Sequence, residues 1–327
     1  MNVKIGMISF AHMHASGYAN CLKQIEGVEI SAIYNEDEDQ GKNLAQRFGA
    51  TFFSDYNKLL EQKPDGVIIC SANADHKKHV IASAEAGCKN ILCEKPIATT
   101  IEDAQAMIDS CSSNGAELGI AFPCRYIPAV MNAKIAIDEN SIGTILGAKT
   151  TNHGRMPGGW FIKKEKSGGG AVMDHTPHVV DLLRWFMQAD PIEVYAEIDN
   201  KFYNMDIDDT GILTIQFNNG VFATLDTSWS RTKSYPTWGD VTMELVGTEG
   251  VISIDSFAQD IDVYSDANMS AQWVYWGDNM DMGLVKDFVA SVKGEKPFHI
   301  KGEDGLLALK VAIGAYESAK TKNPVKI

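Results

Sequence analysis

The chain contains no C-x-x-C pair, no basic arm, no internal repeat and no low-complexity linker. Its six cysteines (Cys21, Cys70, Cys88, Cys93, Cys111, Cys124) all fall within the first 124 residues, and without C-x-x-C pairing they suggest neither a zinc ribbon nor a redox dithiol. Several sit in apolar, strand-like runs, where a reduced cysteine behaves as a small hydrophobe, so all six read as structural. No stretch reaches the roughly 18 uninterrupted apolar residues of a spanning helix. The first eight residues run almost directly into an apolar strand, without the charged region, apolar core and cleavage site of a secretory leader. These absences predict a soluble, cytoplasmic protein with no membrane partner. Acidic residues outnumber basic ones, 43 to 29, for a formal net charge of −14, which argues against a nucleic-acid partner.

What is present fits two domains. A length of 327 residues allows two separate cores. Over 1–122 strand and helix patterns alternate: strands at 3–8, 28–34, 51–53, 66–70, 90–93 and 118–121, and helices at 12–25, 38–48, 56–62, 75–86 and 101–114. Such alternation requires parallel crossovers and a sheet covered on both faces, the doubly wound dinucleotide-binding (Rossmann) pattern. The region 123–327 has a different grammar. A helix at 128–137, a strand at 145–152 and a helix to residue 186 precede β-like runs at 194–198, 211–217, 221–228, 241–246, 250–253 and 261–264. Asn219-Gly220 between two of them signals a hairpin, and helices at 282–292 and 304–319 close the chain. This half is expected to be an α+β domain with a largely antiparallel sheet, giving an α/β protein overall.

The first βα turn departs from its pattern. Where G-x-G-x-x-G gives a tight turn and close approach to a pyrophosphate, the chain reads Ser9-Phe10-Ala11-His12-Met13-His14. A helix N-terminus there still offers backbone N–H groups to phosphate. The second strand ends in Asn35-Glu36-Asp37 with no adjacent arginine; acidic residues at this place hydrogen-bond a ribose and repel a 2′-phosphate, which favours NAD over NADP. His12 and His14 form an H-x-H pair, but positions i and i+2 of a helix do not share a face and no third ligand lies nearby in sequence. No metal is expected.

Two segments carry the chemistry. Gly168-Gly169-Gly170 opens an apolar stretch bearing Asp174, His175, His178 and Asp181. On a helix, Asp174 and His178 lie one turn apart on one face, a plausible acid/base unit. Cys93-Glu94-Lys95-Pro96 follows an apolar run about 80 residues earlier. Together they resemble the G-G-x-x-x-D-x-x-x-H-x-x-D and E-K-P signatures of the glucose-fructose oxidoreductase/inositol dehydrogenase (Gfo/Idh/MocA) family. Ser71-Ala72-Asn73-Ala74-Asp75-His76, Arg125-Tyr126 with Pro128, and Gly247-Thr248-Glu249-Gly250 extend the resemblance through most of the chain.

The resemblance implies hydride transfer between a nicotinamide and a secondary alcohol of a sugar or polyol. Lys95, Asp174 and His178 would be catalytic: His178 as base, Asp174 orienting substrate or imidazole, and Lys95 stabilising the developing alkoxide. Ser9, Phe10, Ala11, His12, Asn35, Glu36, Ser71, Asn73, His76, Glu94, Lys95 and Arg125 would meet the cofactor. Lys95, Tyr126, Asp174, His175 and His178 would meet the substrate, with His175 either shaping a distinct pocket or merely packing. Two alternatives stay open at this level: an NAD-dependent glycoside hydrolase of the same build, and a catalytically silent sugar- or nucleotide-sensing regulator. A mixed sheet face carrying Ile212 and Phe222 among polar residues suits pairing with a symmetry mate, and the resemblance likewise implies a homodimer or homotetramer.

Overall fold

The computed structural model describes residues 2–235, 237–275 and 279–327. The chain forms two compact units, and neither is one continuous stretch. The first comprises Met1–Pro123, Glu165–Gly168 and Met280–Leu309; the second comprises Cys124–Lys164, Gly169–Asn279 and Lys310–Ile327.

The first unit is built on β1 (Val3–Ile8), β2 (Val28–Tyr34), β3 (Thr51–Phe53), β4 (Gly66–Ile69), β5 (Asn90–Glu94) and β6 (Glu117–Ala121), linked by α1 (His14–Leu22), α2 (Glu38–Phe48), α3 (Tyr56–Leu60), α4 (His76–Glu85) and α5 (Ile101–Ser113). The pairings between these six strands are parallel, in the order β3-β2-β1-β4-β5-β6. Strand β4 is buried throughout and β1 from Ile5 on, because helices cover both faces of a parallel sheet. Local signals set the helix ends: Asp37 accepts from the Gln40 N–H at 2.8 Å to start α2, and Thr100 accepts from the Asp103 N–H at 3.1 Å to start α5. The strand order reverses between β1 and β4, where loops at the carboxyl ends of the strands open the crevice typical of nucleotide-binding sheets. One difference from the sequence expectation matters later. Helix α1 begins at His14, so His12 lies in the preceding loop.

The second unit holds α6 (Pro128–Asp138), β7 (Ile145–His153) and α8 (Ala171–Met187), while the single turn α7 (Lys164–Ser167) belongs to the first unit from Glu165 on. Then follow β8 (Pro191–Asp199), β9 (Thr210–Phe217), β10 (Phe222–Ser228), β11 (Thr242–Gly247), β12 (Val251–Asp255), β13 (Asp260–Ser265) and β14 (Ser270–Tyr275). Helix α9 (Met280–Val292) belongs to the first unit, α10 (Gly302–Thr321) contributes residues to both, and β15 (Val325–Lys326) ends the chain. The main sheet runs β12-β11-β7-β10-β9-β8-β15. It is antiparallel except where β7 and β10 pair in parallel. Gly220 takes φ 85° in the β9–β10 turn, as the Asn-Gly dipeptide predicts. Strands β14 and β15 have no counterpart in the sequence reading; β15 has only two residues and pairs at the edge with β8.

Helix α8 packs on one face of this sheet, over buried Leu213, Ile215, Ala223 and Leu225. Gly211 permits the approach, since a Cβ there would come within 2.6 Å of Val172. On the other face Ile212 and Phe222 are 50% and 56% exposed beside Thr214, Gln216, Thr224 and Asp226, their register neighbours. Among the described residues, no helix is long and apolar enough to cross a membrane.

Candidate functional site

The loop after β1 makes its turn without glycine. Ser9 takes φ 71°, a left-handed conformation that costs a non-glycine residue roughly 1–2 kcal/mol. Its hydroxyl donates to Glu36 Oε2 at 2.6 Å and accepts from the Ala11 N–H at 3.2 Å. The Phe10 N–H donates to Asn35 Oδ1 at 2.9 Å, and the His12 N–H donates to the Cys70 carbonyl at 2.9 Å. Side chains from the end of β2 thus hold a turn that glycines hold elsewhere. Asn35, expected at the ribose, is instead a buried anchor for Phe10 and Gln40, and Glu36 is the exposed acid at that strand end. Phe10 is buried and its ring lies 6.2 Å from that of Phe48.

The loop after β4 also separates contact from support. Asn73 donates from Nδ2 to the Ser167 carbonyl at 2.9 Å, while its buried Oδ1 has no hydrogen-bond partner among the described residues. His76 has no exposed surface. Its Nδ1 lies 3.0 Å from the Pro96 carbonyl and its Nε2 3.1 Å from that of Ser71, so it braces two loops. Burial lowers its pKa. Ser71 is likewise enclosed, its hydroxyl 3.0 Å from His79 Nδ1, and burial lowers His79 to a pKa of about 3, keeping it neutral.

At the end of β5, Glu94 is fully buried and gathers both histidines of the H-x-H pair. His14 Nδ1 lies 3.0 Å and His12 Nδ1 3.6 Å from Glu94 Oε1, while Glu94 Oε2 accepts from the Lys95 N–H at 3.0 Å. Burial opposes ionisation of Glu94, but the adjacent His12, His14 and Lys95 outweigh it and hold the carboxyl below its usual range. Burial also opposes a charge on His14, yet Glu94 and Asp281 raise its pKa. Glu94 is therefore an electrostatic hub behind Lys95, which is itself buried.

In the second unit, the glycine segment starts α8 against Asp208. The Gly170 and Val172 N–H groups donate to its two carboxylate oxygens, each at 2.8 Å, and Tyr316 donates its hydroxyl at 2.7 Å. A Cβ on Gly170 would fall 1.8 Å from the Asp208 carbonyl oxygen, so the position requires glycine. Burial raises the Asp208 pKa against these hydrogen bonds. On α8, Asp174 Oδ2 accepts from Trp229 Nε1 at 3.3 Å and lies 3.3 Å from His175 Nε2. His175 has no exposed surface and its Nδ1 lies 2.8 Å from the Asn152 carbonyl. His178 Nδ1 lies 3.7 Å from Cys124 Sγ. Arg125 pairs with Asp181 in a buried, bidentate bridge at 2.6 and 2.8 Å, and Tyr126 beside it is half-buried.

Sequence reasoning missed Asp208 and the His153 cluster. His153 is held by Asp240 at 2.8 Å and Asp226 at 3.1 Å, with Arg231 also on Asp240. The signal for Asp208 was a pair of acids, Asp208-Asp209, ahead of an apolar strand; nothing local connects it to a helix 38 residues earlier.

Residues 3–122 match the family described as "Oxidoreductase family, NAD-binding Rossmann fold", and residues 130–253 match "GFO/IDH/MocA C-terminal domain". An uncharacterised oxidoreductase of Streptococcus pneumoniae serotype 4 is 30% identical over 78% of this chain and 69% of its own length. The chain belongs to the GFO/IDH/MocA oxidoreductase family. It is also 26% identical to the myo-inositol 2-dehydrogenase of Thermotoga maritima, over 99% of this chain and 98% of that protein. GenD2 from gentamicin A biosynthesis, solved in complex with NAD, shares the fold with a TM-score of 0.90 at 23% identity, covering 100% of this chain and 96% of that one. The first unit is thus an NAD-binding Rossmann domain and the protein an NAD(P)-dependent oxidoreductase. Its residues fit a dinucleotide: the buried Asn73 Oδ1 awaits a donor, and the exposed Glu36 carboxylate stands at the end of β2, where ribose hydroxyls are read.

Proposed function

We propose that the protein oxidises a secondary alcohol of a sugar or cyclic polyol, with NAD preferred to NADP as the hydride acceptor. The observation that carries this reading is end-to-end similarity to a myo-inositol 2-dehydrogenase in a chain that keeps Lys95 directly after β5 and His178 on α8.

In this reading Glu36 and Asn73 hold the adenosine and ribose portions, and the bound dinucleotide supplies the hydride acceptor. His178 takes the hydroxyl proton. In the tautomer whose Nδ1–H points at Cys124 Sγ, Nε2 is the accepting atom. The Lys95 ammonium stabilises the alkoxide that forms as the proton leaves, an interaction stronger in a poorly hydrated site than in water. Asp174, fixed by Trp229 and His175, accepts a hydrogen bond from a neighbouring substrate hydroxyl. Tyr126 contributes to substrate binding, and Arg125 keeps the helix bearing His178 in place through Asp181.

One observation favours the sensing alternative: the Phe10, Ala11 and His12 N–H groups are already engaged within the protein, leaving fewer donors for a diphosphate. Incubation with NAD and a panel of inositols, aldoses and glycosides separates the readings. Growth of the reduced-nicotinamide absorbance supports oxidation. Release of sugar and aglycone from a glycoside with no net absorbance change points to hydrolysis. NAD or sugar binding without turnover points to a regulator. The exposed sheet face with Ile212 and Phe222 supports assembly as a homodimer or homotetramer, and a cytoplasmic setting belongs to the same reading.

A further inference from the structure

We infer that His12, His14 and Glu94 form a binding site for a divalent first-row transition ion. The case against a metal in the sequence was that His12 and His14, two apart, cannot share a helix face and lack a third ligand. The structure removes both objections. His12 lies ahead of α1 and His14 is its first residue, so helical periodicity does not govern them. Glu94 is the third ligand, brought in from β5.

The geometry suits an ion. One ligand atom from each residue falls within 4.8 Å of the others, with His14 Nδ1 at 3.0 Å and His12 Nδ1 at 3.6 Å from Glu94 Oε1. Bonds of about 2.0–2.1 Å at tetrahedral angles place neighbouring ligand atoms about 3.3 Å apart, between these two values. The imidazole planes cross at 68°, so neither ring stacks flat on the other. Glu94 Oε2 is occupied by the Lys95 N–H, which aims Oε1 alone at the histidines, as outer hydrogen bonds aim metal ligands. His12 Nδ1 accepts from the His14 N–H at 3.3 Å and His14 Nδ1 lies 3.3 Å from the Tyr18 hydroxyl; an ion would take the place of these contacts and bridge all three groups. His14 is 22% exposed while Glu94 is fully enclosed, which gives the ion a path of entry and a fourth position open to water. Two imidazoles with one carboxylate suit zinc, cobalt and iron rather than calcium or magnesium. A bound ion would fasten the loop after β1 to the segment that carries Lys95, stiffening a turn built without glycine. This site is independent of the proposed substrate.

Titration of the metal-free full-length chain with Co²⁺ tests it. The expected result is one equivalent per chain, visible d–d absorption of a four-coordinate nitrogen/oxygen site, and displacement by Zn²⁺. His12→Asn and His14→Asn should each weaken Co²⁺ binding at least about tenfold, since loss of even an outer-shell partner costs about 10–100-fold. Absence of stoichiometric binding, or wild-type affinity in either folded variant, would overturn the site. If either variant fails to fold, X-ray absorption of the zinc-loaded wild-type protein decides: two imidazoles and one carboxylate in the first sphere are expected, and fewer than two imidazoles would contradict the assignment.

Discussion

Arg125 and Asp181 form a buried bidentate ion pair, with Nε to Oδ2 at 2.8 Å and Nη2 to Oδ1 at 2.6 Å, and the guanidinium lies 5.4 Å from the ring centroid of Trp185. Asp181 stands one helical turn beyond His178 on α8. Removing one partner of such a pair strands a buried charge, at about 3–5 kcal/mol. Asp181→Ala should therefore lower the unfolding free energy by roughly that amount in urea titrations. Replacing both, as Arg125→Met with Asp181→Leu, should cost less than either single change. A single variant as stable as wild type would remove the pair from the framework that holds the helix.

His153 gives the second unit a pH-dependent contribution. Burial lowers the tendency of its imidazole to charge, but Asp226 and Asp240 reverse this and raise its pKa from 6.5 to about 9. A group raised on folding contributes its stability in full below the unfolded value. That stability is lost as pH rises from about 6.5 through 9. Urea midpoints should fall between pH 6 and pH 9.5 in wild type, and fall less in His153→Gln, the difference being on the order of 2 kcal/mol. Parallel pH dependence in the two proteins would rule the cluster out.

Glu36 should set cofactor choice. Its carboxylate is exposed at the end of β2 with one oxygen on Ser9, so a 2′-phosphate would meet a like charge. NAD should bind more tightly than NADP by calorimetry, and Glu36→Gln should narrow the gap by about tenfold or more, since like-charge juxtaposition costs several kcal/mol. Equal affinities in wild type would defeat this prediction.

The sequence made the Rossmann half legible because several helices there carry their own start or stop, as Asp37 with Gly49 do for α2, and because a buried parallel strand such as β4 is apolar throughout. The second unit was legible where a turn is local, as at Asn219-Gly220, and opaque where partners are distant. Asp208 with Gly170, and Glu94 with His12, are joined by the fold alone, so no window of sequence contains them. The same limit separates residue types from roles. His76, Asn35 and His175 stand in suggestive positions, and each makes hydrogen bonds that only the folded chain can supply.

Assembly is tested through the exposed sheet face. Ile212 and Phe222 are half exposed among Thr214, Gln216 and Thr224, a mixed surface suited to a symmetric partner. Light scattering at micromolar concentration should give a multiple of the 35.8 kDa chain mass, and Ile212→Lys with Phe222→Lys should shift the mass toward that of one chain. A wild-type mass of one chain would refute assembly.

The most direct test of the catalytic account is the steady-state rate of NAD reduction with an accepted polyol, measured for wild type, Lys95→Ala and His178→Ala, with circular dichroism confirming that each is folded. Loss of a positioned acid/base group typically costs about 10²–10⁴-fold, so each variant should lose at least about a hundredfold in turnover with an unchanged spectrum. A near-wild-type rate in either folded variant would contradict the role given to that residue, and no reduction of NAD by wild type with any inositol or aldose would contradict the proposed reaction itself.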